Sequence, residues 1–251
     1  MTTVLDHLAI GARGLSGGWE LFGGLLGGTW AYGGNSAGFW WGQLEYAAGP
    51  KIELLTPTGG PDAAFLDRFL ASRGAGPHHL NFLVTDIEET LGLVKACGIE
   101  PVGVNLASPG WKEAFLHPRD AHGIVVQVAQ QASPPPPSAP PTDLPQPGPA
   151  SRLDLIEHHV SDLDGAVRLF RDVLGGQLQP AGTGTGTGTG TAELTWPAGK
   201  RIRLVHHDGL PLGGTLHHVR FTREAGVFSV RDRQRAGLLA ERLGLTVELA
   251  S

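Results

Sequence analysis

Four polar residues interrupt otherwise apolar, strand-like segments in the first half of the chain. His7 stands in VLDHLAI and His79 in GPHHLNF, while Glu53 interrupts KIELL and Gln127 interrupts GIVVQVAQ. The spacing from His7 to His79 is within two residues of the spacing from Glu53 to Gln127, so the four form two matched pairs. Two imidazoles and two side-chain oxygens are a suitable donor set for one divalent first-row metal, such as Co, Ni, Zn, Mn or Fe.

The alternation of side chains along a strand indicates which of two adjacent histidines faces such a site. Successive residues of a strand point to opposite faces of its sheet. His78 shares its face with Leu80 and Phe82, and this apolar face should pack under a helix. His79 shares the other face with Asn81. We therefore predict that His79 lines a cavity and that His78 does not.

Helix signals follow both histidine segments and complete an internal repeat. After His79, Asp86 can cap a helix with Glu89 three residues later. A poorer helical pattern, GLSGGWELFGGLLGG, follows His7. The sequence predicts an α+β fold in which two βαβββ modules, at about 1–57 and 77–131, form a curved, partly open mixed-sheet barrel. The four polar residues would face its concave side.

Proline marks a boundary between two domains. The segment ASPPPPSAPPTDLPQPGP lies in the middle of the 251-residue chain and can form neither a regular sheet nor a helix. We predict a metal-binding domain at 1–131, a proline-rich linker at 132–150 and a shortened second domain at 151–251. The repeat GTGTGTGTGT at 182–191 is expected to be a flexible hairpin connection.

Charge and hydropathy restrict the class of partner. The formal net charge is −5 and no Lys/Arg run is present, which argues against a nucleic-acid ligand. No run of about 18 apolar residues predicts a membrane span, and no targeting segment is evident at MTTVLDHLAI. The single cysteine, Cys97, fits a reducing compartment. We expect a cytoplasmic protein with a small-molecule partner, and homodimer formation is compatible with the sequence.

Several stretches of the first half resemble the vicinal oxygen chelate superfamily, which includes glyoxalase I, methylmalonyl-CoA epimerase, extradiol dioxygenases and bleomycin-resistance proteins. They are LDHLAI, KIELLTP, GPHHLNFLVTDIEETL and EAFLHPRDAHGIVVQVAQ. The resemblance is to the glyoxalase and epimerase branches. It implies that the metal ligands are His7, Glu53, His79 and Gln127. It also implies a metal-dependent isomerase or lyase that abstracts a proton α to the carbonyl of a small carbonyl or thioester substrate.

The sequence departs from the epimerase pattern at the two oxygen ligands. Epimerase-like proteins usually have glutamine at the position of Glu53 and glutamate at the position of Gln127, and here the two are exchanged. The module repeat makes the positions nearly equivalent, so the set keeps its single carboxylate. Glu53 would then be the catalytic base, a role that the neutral amide of Gln127 cannot take.

A substrate pocket is expected beside the metal. Phe39, Trp41, Gln43 and Glu45 alternate onto one face of GFWWGQLEY. The resemblance places a second epimerase base at Trp41, and Glu45 is the only acid nearby. Asn81, Trp111 and Phe115 complete the predicted pocket.

The second half resembles a degenerate copy of the first. LDLIEHHVSDLDGAVRLFRDVLGG matches the first strand and helix of the family, but Leu155 and Arg203 replace two of the four ligands. His218 and Glu248 occupy the other two positions, and the fourth module is short. We therefore expect this half to bind no metal and to serve a structural role.

Two alternatives to the isomerase or lyase remain open at this level. A protein of the bleomycin-resistance type would sequester a small molecule without chemistry, and it would use the aromatic residues without needing a metal. An oxygen-activating enzyme of the extradiol dioxygenase type uses two histidines and an acid around iron. Gln127 in place of an acid fits that third reading less well.

Overall fold

The computed structural model describes residues 2–180, 190–223 and 225–250. The first half of the chain forms two successive βαβββ modules with an additional helix between them. The strands are β1 (Thr3–Gly11), β2 (Thr29–Ser36), β3 (Phe39–Glu45), β4 (Lys51–Pro57), β5 (Gly76–Val84), β6 (Val102–Asn105), β7 (Trp111–Leu116) and β8 (Val125–Gln131). The helices are α1 (Ser16–Gly18), which continues as a π-helical segment at Trp19–Leu25, α2 (Ala64–Arg73) and α3 (Ile87–Ala96).

The second half repeats this order less completely. Its strands are β9 (Ser151–Val160), β10 (Gln177–Leu178), β11 (Thr191–Trp196), β12 (Lys200–His206), β13 (Gly214–Arg223) and β14 (Thr246–Ala250). Its helices are α4 (Leu163–Arg168), continued by a π-helical segment at Leu169–Val173, and α5 (Val230–Arg242). Since α5 is followed almost at once by β14, the fourth module is short, as predicted. Residues 182–189 of the GT repeat lie outside the described residues.

Two mixed sheets organise these strands, and the fold is α+β as predicted. Among the described residues, eight strands form the larger sheet in the order β2-β3-β4-β1-β5-β8-β7-β6, and this sheet curls into a half-barrel. The smaller sheet has the order β10-β11-β12-β9-β13-β14 and stays open. The two histidine strands, β1 and β5, are therefore neighbours at the centre of the larger sheet.

Strand register confirms the internal repeat. β1 pairs in parallel with β4, and β5 pairs in parallel with β8. His7 on β1 lies opposite Lys51 on β4, and Glu53 is two residues after Lys51 on β4. His79 lies opposite Val125, and Gln127 is again two residues further. The polar residue on each partner strand thus has the same position relative to its histidine.

Capping residues fix where two of the helices begin. The Asp86 side chain accepts a hydrogen bond of 3.0 Å from the Glu89 backbone N–H at the start of α3, as predicted. At α4, Asp162 accepts from the Gly165 N–H at 2.8 Å. These carboxylates satisfy backbone donors that have no partner within the helix.

α2 is an element that the sequence analysis did not predict. Its buried residues Leu66 and Leu70 pack with Ala9 and Leu55, which lie on strands of the larger sheet. Phe65 and Phe69, on the same helix, contact the ring of His78 at centroid distances of 5.6 and 4.9 Å. The His78 ring therefore packs against α2, but this helix also covers Ala9 and Leu55, which share their strand faces with His7 and Glu53, so it is not the helix that the opposite face of β5 predicted.

Residue contacts gather the chain into two compact units, each built from three segments. One unit contains the described residues of 1–6, 79–134 and 155–216, and the other contains those of 7–78, 135–154 and 217–251. In the first, the ring of Phe82 contacts Phe170 and Trp196. In the second, the ring of Phe22 contacts Phe221. The sequence-predicted boundaries at 131 and 151 remain a prediction.

The proline-rich segment, residues 132–150, is hydrogen-bonded to the first module. The indole N–H of Trp30 donates to the Ser138 carbonyl oxygen at 2.8 Å, and the Ser138 hydroxyl accepts from the Gly33 N–H at 2.9 Å. The Gly148 N–H donates to the Gly23 carbonyl oxygen at 3.3 Å. This segment is therefore held against β2 and the helix before it.

Within the described part of the chain, no helix combines the length and apolar character needed to cross a membrane.

Candidate metal site

His7, Glu53 and His79 meet at the centre of the larger sheet. β1 carries His7, its neighbour β4 carries Glu53, and β5 on the other side of β1 carries His79. One ligand atom from each residue lies within 4.8 Å of the others. The three residues are 3%, 7% and 6% exposed. The structure brings three of the four predicted donors together, and their role as ligands remains a proposal.

The donor set fits a divalent cation in chemistry and in spacing. His7 Nε2 lies 3.6 Å from Glu53 Oε1. Metal bonds of about 2.0–2.2 Å at tetrahedral angles separate neighbouring donors by roughly 3.4 Å. Burying a carboxylate is costly, and a cation bound beside it would offset that cost. The two imidazoles and the carboxylate can therefore hold a metal without a large rearrangement.

The Gln43 side chain contacts two of these donor residues, His7 and Glu53. Its side chain is 3% exposed, and its Nε2 donates to Glu53 Oε2 at 2.7 Å. The same nitrogen lies 3.2 Å from His7 Nδ1. These contacts direct His7 Nε2 and Glu53 Oε1 toward each other and away from Gln43. The structure thus places Gln43 against the donors, whereas the sequence analysis expected it in the substrate pocket.

Gln127 lies in the second module with a hydrogen-bonding partner of its own. It is 7% exposed and lies opposite Asn81 on β5. Its Nε2 donates to Glu113 Oε2 at 2.8 Å. The indole N–H of Trp111 donates to the same oxygen at 2.9 Å. Glu113 was missed by the sequence analysis, although the alternation of WKEAFL places it on the face of Trp111 and Phe115.

Asn81 is the most deeply buried polar side chain of this region. It is 0% exposed and shares its strand face with His79. Neither atom of its amide has a hydrogen-bond partner among the described residues. An amide of this kind favours a bound polar molecule or water beside it.

The predicted aromatic wall is in contact with α2. Phe39 and Trp41 pack on the cluster that contains Leu66 and Leu70, and Phe39 also meets Phe65 edge-on at 5.3 Å. Phe115 is half-buried on β7. Glu45 lies exposed at the end of β3. The role of these residues in a substrate pocket stays a prediction.

His78, next to His79, has a different environment. Burial, and secondarily the positive charge of Arg73, lower the pKa of His78 to about 4. Its ring packs edge-on against two phenylalanines of α2. At neutral pH this histidine is therefore an uncharged packing residue.

Comparison with known proteins identifies the family. Residues 6–115 match the family described as the glyoxalase/bleomycin resistance protein/dioxygenase superfamily. The first half of the chain therefore contains a domain of this superfamily. The recognition made from the sequence is confirmed, and the matched range includes three of the four predicted ligands. No curated protein sequence matches the chain.

Solved structures of other proteins are similar to parts of this chain. A hypothetical protein from Bacillus halodurans C-125 is 27% identical, covers 53% of this chain and 97% of its own, and has a TM-score of 0.47. A Streptomyces coelicolor methylmalonyl-CoA epimerase variant bound to 2-nitronate-propionyl-CoA is 23% identical, with 53% and 100% coverage and a TM-score of 0.47. A variant of Streptomyces coelicolor 4-hydroxymandelate synthase is 12% identical but covers 95% of this chain and 75% of its own, with a TM-score of 0.59. That last similarity shows a two-domain fold of the same kind over nearly the whole chain.

In the second half of the chain, an arginine that forms ion pairs stands at the position of one ligand. Leu155 is buried at 1% exposure. Arg203 lies 3.7 Å from Glu157 and 3.2 Å from Glu193. His218 Nε2 lies 3.5 Å from Glu248 Oε2. Among the described residues, only His7, Glu53 and His79 form a group of three suitable donors. The expectation that this half binds no metal stays a prediction.

Proposed function

We propose that this superfamily member is a metal-dependent isomerase or lyase of the glyoxalase or epimerase type. Its substrate would be a small carbonyl compound or thioester that carries a proton on the α-carbon. The observation that supports this proposal is the buried cluster of His7, Glu53 and His79. A buried pair of imidazoles with one carboxylate suits both cation binding and proton abstraction.

The residues divide the work according to their chemistry. A divalent cation bound here would act as a Lewis acid on the carbonyl oxygen of the substrate. Glu53 is the proton acceptor; since Oε2 already accepts from Gln43, Oε1 would leave the cation when it takes the proton. His7 and His79 bind the cation. Gln127 adds a neutral oxygen, since an amide cannot act as a base at ordinary pH.

Burial supports the chemistry by limiting water around Glu53. The half-buried rings of Phe39 and Trp41 pack on the cluster that includes Leu55, two residues beyond Glu53 on β4. A low local dielectric strengthens the interaction of a carboxylate with a cation. These rings also support a second candidate function, the sequestration of an apolar small molecule without chemistry, because an aromatic wall contributes binding energy with or without a metal.

The exchanged carboxylate provides the main experiment. Metal content and affinity are measured on protein purified without chelator, together with solvent deuterium exchange into a panel of small carbonyls and thioesters. We expect one divalent ion per chain, and we expect Glu53→Gln to weaken metal binding and to stop exchange. Gln127→Glu should bind metal at least as tightly, and the double variant should stay within about tenfold of wild type.

The adjacent histidines provide a matched control. His79→Ala should abolish metal binding because it removes one of the two imidazoles, whereas His78→Ala should leave metal content near that of wild type. Equal losses from both variants would contradict the assignment of the two strand faces. If Glu53→Gln changes neither metal affinity nor exchange, sequestration becomes the better description of this protein.

A further inference from the structure

Glu113 is the acid that lies beside Gln127, and the sequence analysis gave it no role. One of its oxygens, Oε2, accepts both the Gln127 amide N–H at 2.8 Å and the Trp111 indole N–H at 2.9 Å. These two donors come from different strands, β8 and β7, so the carboxylate is anchored from two directions. The side chain is half-buried, which reduces competition from water.

This contact determines which end of the Gln127 amide points where. An ionised carboxylate only accepts hydrogen bonds, so the NH₂ group of Gln127 must face Glu113. The amide oxygen is then turned away from Glu113. Gln127 is 7% exposed, so little solvent is available to stabilise the opposite orientation. Without Glu113, the nitrogen and oxygen of this amide would be nearly interchangeable in shape.

We propose that Glu113 is a positioning residue that fixes Gln127 as an oxygen donor for the cation held by His7, Glu53 and His79. This inference rests on the proposed function and deepens it. Glu113 acts through Gln127 and not as a ligand, because the group of converging donors among the described residues does not include it.

The first module contains the same kind of pair with the residue types exchanged. There Gln43 on β3 donates to Glu53 on β4 at 2.7 Å, and in the second module Gln127 on β8 donates to Glu113 on β7 at 2.8 Å. Each module therefore has one amide and one carboxylate on adjacent strands. The acid lies on the inner strand in one module and on the outer strand in the other. The amide on the inner strand needs its outer acid to present oxygen and not nitrogen.

A double-mutant cycle on the full chain tests this assignment. Affinity for Co²⁺ is measured by calorimetry and the ligand field by visible absorption, for wild type, Glu113→Ala, Gln127→Ala and the double variant. We expect Glu113→Ala to weaken Co²⁺ binding about tenfold and to shift the absorption bands. In the Gln127→Ala background the same change should have almost no further effect, because the residue that it orients is gone.

Two more variants separate orientation from charge and from general damage. Glu113→Gln removes the charge but keeps a carbonyl that can accept from Gln127 and Trp111, so it should restore most of the affinity and the wild-type spectrum. Glu100→Ala removes a charge from an exposed ion pair with Lys95 and should change nothing.

The outcomes distinguish the positioning role of Glu113 from the proposed metal-dependent function on which it rests. Unchanged affinity in Glu113→Ala, or additive losses in the cycle, would overturn the positioning role while leaving the metal site intact. A wild-type chain that binds no divalent metal would overturn both. If the effects of Glu113→Ala and Gln127→Ala on Co²⁺ affinity simply add, the positioning role is wrong even when the wild-type protein catalyses proton exchange.

Discussion

At the scale of single residues, Asn81 illustrates a conflict between the stability of the fold and ligand binding at the site. Its amide is fully buried and lacks a hydrogen-bond partner among the described residues. An unsatisfied buried polar group typically costs about 1–3 kcal/mol. A protein that keeps such a group beside a candidate metal site gives up stability for an interaction that forms when the site is filled.

Replacing Asn81 with leucine should therefore stabilise the protein without ligand. We expect Asn81→Leu to raise the free energy of unfolding by about 1 kcal/mol, because an apolar side chain of similar volume removes the desolvation cost. Urea denaturation measures the change, and Asn35→Leu, at an exposed position of β2, is the control. A marked destabilisation would show instead that internal water satisfies the amide.

His158 predicts a pH dependence of stability. It is 0% exposed, and burial lowers its pKa from 6.5 to about 4. As the pH falls below 6.5 the unfolded chain takes up a proton that the folded chain refuses until about pH 4, so stability decreases across this window. The contribution between pH 7 and pH 5 is about 2 kcal/mol.

The substitution His158→Leu should reduce this loss. Free energies of unfolding at pH 7 and pH 5 should differ less in His158→Leu than in wild type, by about 2 kcal/mol. His206→Leu changes an exposed histidine and should keep the wild-type difference. The same slope in wild type and His158→Leu would mean that water reaches this ring.

The sequence predicted the site residues only as far as local rules allow. Strand alternation and module spacing were sufficient for His7, Glu53 and His79, because the face of a strand residue follows from its neighbours in the chain. The contacts of Gln43 with His7 and Glu53, and of Glu113 with Gln127, were not predicted. These contacts cross between strands, and they depend on a register that no single segment determines.

At the scale of elements, α2 shows why one helix escaped prediction. The stretch PDAAFLDRFLASRG places Phe65 and Phe69, like Leu66 and Leu70, four residues apart. Polar residues separate these pairs, so the helix has only weak amphipathic character. It is stabilised by the cluster on which Leu66 and Leu70 pack, which is a tertiary effect that overrides local propensity.

The proline-rich segment gives a prediction at the same scale. Ser138→Ala removes the hydroxyl that accepts from the Gly33 N–H and should lower the free energy of unfolding by about 1 kcal/mol. Trp30 keeps its bond because it donates to the backbone of Ser138. Ser133→Ala, in an exposed part of the segment, is the matched control. Identical stability of the two variants would mean that this segment is not held in solution.

At the scale of the whole molecule, each compact unit needs the second half of the chain to cover its aromatic residues. Phe82 is covered by Phe170 and Trp196 in one unit, and Phe22 by Phe221 in the other. Burying one such side chain contributes about 1.5–3 kcal/mol, while a whole domain is typically stable by only about 5–15 kcal/mol.

A chain that ends at Gln131 should therefore fail to form a stable monomer. We expect it to bind a hydrophobic dye, to aggregate or self-associate, and to lose its cooperative thermal transition, because the apolar faces around Phe22 and Phe82 become exposed. Calorimetry and light scattering against the full chain measure this. A monomeric fragment with a sharp transition would instead support the domain boundary predicted from the sequence.

The interleaving of segments in the two units also sets an order of events during synthesis. Neither unit is complete when the ribosome has made the eight-stranded sheet, because one requires segment 155–216 and the other requires segment 217–251. At typical translation rates the nascent sheet waits on the order of ten seconds for its missing partners. Over that interval the apolar surfaces around Phe22 and Phe82 are exposed to chaperones and to neighbouring chains. Slow codons after residue 131 should therefore lower the yield of folded protein more than slow codons before it, and extra chaperone should offset that loss.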